Sequence, residues 1–131
     1  MKPVWIVDDD QSIRWVLEKA LQRENMPYRS FSNPQDVLDA FDNEEPQVLI
    51  SDIRMPRGNG IDLLQQVKAE HPHVPVIIMT AYSDLDSAVS SFQGGAFEYL
   101  PKPFDLKELL AVIGRALTRD RKSTRLNSSH R

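Results

Sequence analysis

The chain has 131 residues, 40% of them hydrophobic, no cysteine and a formal net charge of −3. That length suits one domain with a single core, and the missing cysteines exclude disulfides and thiolate metal centres. No apolar run approaches the ~18 residues of a membrane span, and Met1-Lys2-Pro3 enters a strand without signal-peptide character, so a cytoplasmic protein is expected.

Strand-like runs and helical stripes alternate along the chain. Val4-Trp5-Ile6-Val7 reads as a buried strand. Ile13, Val16, Leu17, Ala20 and Leu21 then share one helix face, with Asp10 or Ser12 as its cap. Tyr28-Arg29-Ser30-Phe31 is a weaker strand, and Pro34 opens a short helix with Val37, Leu38 and Phe41. The third strand is 48–51. A turn at Gly58-Asn59-Gly60 leads into a helix marked by Ile61, Leu64 and Val67 that ends before Pro72.

The fourth strand is 76–79. Ser83 and Asp86 suit the start of a helix over 83–93, with Leu85, Val89 and Phe92 as its few anchors and Gly94-Gly95 as its stop. A fifth strand covers about 97–100. Asp105 caps a last helix with Leu106, Leu109, Leu110, Ile113 and Leu117 on one side. Residues 121–131 carry four basic residues, no acid and one large apolar residue. They read as a disordered or expression-derived tail on a domain of residues 1–120. Without those four positives, twelve basic residues face nineteen acids, a net of −7 before residue 121, which argues against direct nucleic-acid binding by this domain.

This alternation predicts an α/β fold: a doubly wound, five-stranded parallel sheet in flavodoxin-like order 2-1-3-4-5, with helices on both faces. Strands 1, 3 and 4 are the most uniformly apolar and belong in the centre; strands 2 and 5 are mixed and suit the edges. Ligands of such sheets bind outside the carboxyl ends of the strands. Asp8-Asp9-Asp10, Asp52, Thr80-Ala81 and Lys102 all follow strands, so one edge gathers carboxylates, a hydroxyl and an ammonium.

Asp8, Asp9 and Asp52 suit a hard divalent cation, Mg²⁺ above all. Crowded carboxylates repel, and a cation relieves that while leaving Asp52 ionised as a nucleophile. Asp10 reads as a turn and cap residue. Lys102 is held between Pro101 and Pro103, and an ammonium there suits a phosphoryl oxygen. Thr80 alone would be a turn residue; beside the acids and Lys102 it joins the site. His71-Pro72-His73 is not read as a metal pair, because no further ligand stands at a recognisable spacing.

Val7-Asp8-Asp9, Asp52-Ile53-Arg54-Met55-Pro56 with Gly60, Met79-Thr80-Ala81 and Tyr99-Leu100-Pro101-Lys102-Pro103-Phe104 together resemble the receiver domain of bacterial response regulators. The likeness spans about residues 3–120. It is strongest for the nitrogen-regulation activators of that family, through Asp10 to Leu17, Ser83-Asp84-Leu85-Asp86 and Gly95 to Asp105.

The resemblance implies that Asp52 accepts a phosphoryl group from a sensor histidine kinase. Asp8, Asp9, Asp52 and the backbone carbonyl of Arg54 would hold Mg²⁺. Thr80, Ala81 and Lys102 would bind the phosphoryl group, Tyr99 would repack in the switch, and Pro103 would support Lys102. Asp84, Leu85, Asp86, Val89 and Phe92 would carry the conformational output. The chain would then be a phospho-accepting switch rather than an enzyme, feeding an AAA+ ATPase that works with sigma-54 polymerase and a DNA-binding domain, both outside this sequence, with phosphorylation-dependent dimerisation as a further expectation. A stand-alone receiver or a phosphate-independent interaction module is the alternative. An aspartate-nucleophile phosphohydrolase is disfavoured, because Arg54 stands where such enzymes carry a second acid. Asn59 departs from the family pattern, which usually has an acid there.

Overall fold

The computed structural model describes residues 2–55, 58–81, 95–102 and 104–129. The expected helix over 83–93, with Asp84, Leu85, Asp86, Val89 and Phe92, lies outside these residues, as do Pro56 and Pro103. β1 (Val4–Val7), β2 (Tyr28–Phe31), β3 (Val48–Asp52), β6 (Val76–Ala81) and β7 (Glu98–Lys102) form one parallel sheet in the order β2-β1-β3-β6-β7. This is the predicted 2-1-3-4-5 arrangement, with the most apolar strands in the middle. A two-residue hairpin, β4 (Arg54–Met55) against β5 (Gly58–Asn59), follows β3.

Alternation along each strand divides the core into two layers. Val4, Ile6, Val48, Ile50, Ile77, Met79 and Leu100 face α1 (Gln11–Arg23) and the final helix α4 (Leu106–Ser129), meeting Leu17, Leu21, Leu109 and Ile113. Trp5, Val7, Leu49, Val76 and Ile78 face α2 (Pro34–Ala40) and α3 (Gly60–Glu70), meeting Val37, Leu63, Leu64 and Val67. A fully buried aliphatic or aromatic side chain contributes about 1.5–3 kcal/mol, so these layers hold the strand ends in register.

Local chemistry explains the helix boundaries. Asp10, not Ser12, caps α1; its carboxylate accepts the amides of Ser12 and Ile13. Asn33 caps α2 ahead of Pro34, and Asp105 Oδ1 accepts the Glu108 amide at 2.8 Å in the first turn of α4. Val16 departs from the expected core: it is 37% exposed beside Trp15 at 58%, so the buried stripe of α1 is Leu17, Ala20 and Leu21. The final helix α4 runs through Ser129, into the segment expected from residue 121 to be a tail. Gly114 is its one glycine and it contains no proline, so nothing in the backbone chemistry ends the helix at residue 120. Among its described side chains, the last buried one is Ala116.

Candidate functional site

The sheet register sets the site. Val7 pairs with Ser51, Asp52 with Met79, Thr80 with Pro101 and Ala81 with Lys102. Asp8 follows β1 and stays tied to β2 through its amide, which donates to Phe31 O at 3.2 Å. Asp8, Asp52, Thr80 and Lys102 therefore reach one edge from four strands.

Lys102 spans the gap. It stands on the edge strand, two strands from β3, and only a long side chain crosses that distance at ~4.8 Å per strand. Its Nζ lies 3.1 Å from Asp52 Oδ1 and 3.3 Å from Asp8 Oδ2. The Asp8 side chain is fully buried, that of Asp52 is 13% exposed and that of Lys102 is 25% exposed. Asp9 is exposed.

Burial pushes the Asp8 carboxyl above its ordinary range, against the Asp10 amide and the Lys102 charge, which favour the ion. Burial also raises Asp52, with the neighbouring Asp8 charge next in importance. For Lys102, burial alone would lower the value, but Asp8 and Asp52 outweigh it and the ammonium is held more firmly than usual. One cation thus serves two desolvated carboxylates.

A second cation fits. Asp8, Asp9 and Asp52 each offer an oxygen within 4.8 Å of the others. Octahedral oxygens at ~2.1 Å from Mg²⁺ stand roughly 3–4 Å apart, so the donor set suits Mg²⁺ in type and is close enough to converge on one ion. The raised carboxyls of Asp8 and Asp52 supply the electrostatic reason for it.

Two supports were not legible beforehand. Arg14 Nη1 donates to the Asp8 backbone carbonyl at 2.6 Å, while Asp8 Oδ1 accepts the Asp10 amide at 2.9 Å. These contacts fix the acidic turn from α1. Gly60, at the start of α3, is the other: a Cβ there would strike the Asp52 carbonyl oxygen and stand 3.1 Å from the Asp52 carbonyl carbon and Ile53 Cα. Only glycine lets α3 approach the strand carrying Asp52 this closely.

Of the remaining expected residues, Thr80 is 2% exposed, one position beyond the partner of Asp52. Tyr99 is half-buried three residues before Lys102 and packs against the core layer on the α3 side. The backbones of Arg54 and Ala81 lie in β4 and β6.

A family model for the response regulator receiver domain matches residues 4–114. The chain belongs to the response-regulator receiver family. It is 56% identical over 126 residues to the DNA-binding transcriptional regulator NtrC of Proteus hauseri, covering 96% of this chain and 27% of that protein. NtrC of Escherichia coli K12 is 56% identical over 115 residues, covering 88% of the chain and 24% of the relative. The chain therefore spans about a quarter of these relatives. The solution structure of the apo NtrC receiver domain is 55% identical with a TM-score of 0.83, over 90% of this chain and 95% of that one. The BeF3-activated form of that domain is also 55% identical, with a TM-score of 0.78 over 91% and 98%. No helix among the described residues is long and apolar enough to cross a membrane.

Proposed function

We propose that this receiver domain is a phosphorylation switch in which Asp52 takes a phosphoryl group from a phosphohistidine of a sensor kinase. The observation that carries this reading is the Lys102 ammonium placed between Asp52 and the buried Asp8. The Asp52 carboxylate attacks phosphorus in line, the new O–P bond forms as the N–P bond breaks, and the kinase imidazole leaves with a proton. Lys102 turns from Asp52 to a phosphoryl oxygen, and the Thr80 hydroxyl donates to another. Asp8, Asp9, Asp52 and the Arg54 carbonyl would hold Mg²⁺, which supplies neutralisation of charge on the phosphoryl oxygens. The domain is not a turnover enzyme; it assists its own phosphorylation and dephosphorylation.

The phosphoryl group adds roughly −1.5 to −2 charge to an edge already rich in carboxylates. Thr80 moves toward it, Tyr99 follows, and the segment 83–93 carries the change outward. Moving a population from 1:99 to 99:1 needs about 5.5 kcal/mol. A few charge-assisted hydrogen bonds at ~1.5–3 kcal/mol each supply that scale. The 56% identity to NtrC supports a cytoplasmic output in nitrogen regulation through a sigma-54-dependent ATPase and a DNA-binding domain.

Intact mass after incubation with Mg²⁺ and acetyl phosphate tests the reading. One labile adduct on the wild-type chain and none on Asp52→Ala is expected. An adduct on both would move the acceptor elsewhere. None on either, with purified kinase also failing, would leave a phosphate-independent interaction module.

A further inference from the structure

The three acids of the cation edge are not held alike. Asp8 and Asp52 share the Lys102 ammonium at 3.3 and 3.1 Å, and Asp8 Oδ1 also accepts the Asp10 amide at 2.9 Å. Asp9 is exposed, and no described side chain hydrogen-bonds its carboxylate. Its aim is therefore set by the backbone. The Asp8 carbonyl and the Asp9 amide share one planar peptide unit, so whatever fixes that carbonyl fixes the direction in which Asp9 leaves the strand. Arg14 fixes it, donating from Nη1 to Asp8 O at 2.6 Å. Its own amide donates to Asp10 O at 3.1 Å, so Arg14 reaches both ends of the acidic turn. Helix stability gives no reason for a cation at this end of α1, where the helix dipole favours negative charge.

We propose that Arg14 is a positioning residue for the metal site: it holds the Asp8–Asp9 peptide so that the Asp9 carboxylate stays turned toward Asp8 and Asp52. The inference rests on the Mg²⁺ reading given above. The three acids offer oxygens within 4.8 Å of one another, and Asp9 is the one whose place in that set depends on its main chain. A short bond from a charged donor is among the stronger hydrogen bonds, and groups that orient metal ligands without touching the ion tune its affinity strongly. Arg14 acts on a divalent cation in two opposed ways. Its charge repels the ion, and its hydrogen bond presets a ligand. The guanidinium is half-buried, so water and salt screen its charge, whereas the hydrogen bond acts on geometry directly. Positioning therefore outweighs repulsion, and because the two have opposite signs they can be separated.

Titration of the 131-residue chain with Mg²⁺, followed through the Asp9 and Asp10 amide resonances, is the test. Arg14→Ala should weaken Mg²⁺ binding roughly tenfold. Arg14→Lys, which keeps the charge and a donor, should recover part of that loss. In an Asp9→Asn background the Arg14→Ala step should cost less than about twofold, because the ligand it aims is already impaired. Tighter Mg²⁺ binding in Arg14→Ala would mean that charge outweighs positioning, and unchanged binding would mean that the peptide holds itself. Either result overturns the proposal and leaves the Mg²⁺ reading standing. A full loss repeated in the Asp9→Asn background would place the effect on another ligand and overturn it as well. No Mg²⁺ binding by the wild-type chain would remove the metal reading itself, and this inference with it.

Discussion

The two edges of the sheet solve opposite electrostatic problems. At the carboxyl ends of the strands, Asp8 and Asp52 are desolvated together and share Lys102, so among the described residues two carboxylates there lean on a single ammonium. At the other edge, Glu45 is a lone carboxylate between two imidazoles with Lys2 close by, and its charge is well matched and partly in water. Burial raises the Asp8 and Asp52 carboxyls, whereas the hydrogen bonds from His73 and His71 draw Glu45 down to about 2. An under-neutralised buried edge is primed to bind cations and respond to added charge. A satisfied exposed edge is stable as it stands.

The largest break in that contrast comes from Lys102→Ala. It leaves Asp8 and Asp52 facing each other without their shared ammonium. A fully buried pair broken this way costs ~3–5 kcal/mol, and the 25% exposure of Lys102 reduces the expectation to about 2–3. Chemical denaturation without divalent cation should show that loss, and Mg²⁺ should restore much of it. Equal stability of variant and wild type in EDTA would mean that the lysine does not neutralise the edge.

Next is Gly60→Ala. The added methyl meets backbone, not a pliable side chain, so β3 or α3 must shift. Overpacking of this kind costs ~1–3 kcal/mol. Because the obstacle is the Asp52 carbonyl, Mg²⁺ affinity should fall along with stability. A stability loss with Mg²⁺ affinity intact would show that α3 moves and Asp52 does not.

What the sequence showed and what it hid follow from the same physics. Strand order was legible because Val4–Val7, Val48–Ile50 and Val76–Met79 are apolar on both faces, while Arg29 and Glu98 mark edge strands. Convergence of Asp8, Asp52 and Lys102 was legible because strand ends in such a sheet share an edge. The Lys102 bridge was not, since a lysine in a loop reads the same whether it is solvated or reaches across two strands. The β4–β5 hairpin hid inside a Gly-rich turn only two residues long per strand. Glu45 beside His71 and His73 needed two separate loops to be brought together. Val16 was misplaced because a stripe at i, i+3, i+4 has a margin that periodicity cannot assign to core or solvent.

A smaller effect of opposite sign should come from Asp52→Asn. A carboxyl raised on folding favours the folded state when protonated, and that advantage is lost as pH rises through the folded value. At neutral pH the ionised Asp52 is therefore a burden, which the amide removes. Tm in EDTA should rise by a few degrees, the scale of about 1 kcal/mol for a domain of this size. Mg²⁺ should then stabilise the variant less than the wild type. A lower Tm in EDTA would show that Lys102 more than offsets the desolvation.

The smallest effect belongs to the satisfied edge. Glu45 is lowered from 4.5 to about 2, so its contribution is present above pH 4.5 and is lost as pH falls toward 2. Glu45→Gln removes that limb, yet at neutral pH the change should stay below about 1 kcal/mol, since partly exposed pairs are weak. Stability profiles of the two proteins should converge as pH falls from 4.5 to 2. Profiles running parallel across that window would show that the imidazoles do not hold the carboxylate, and the contrast between the two edges would then rest on burial alone.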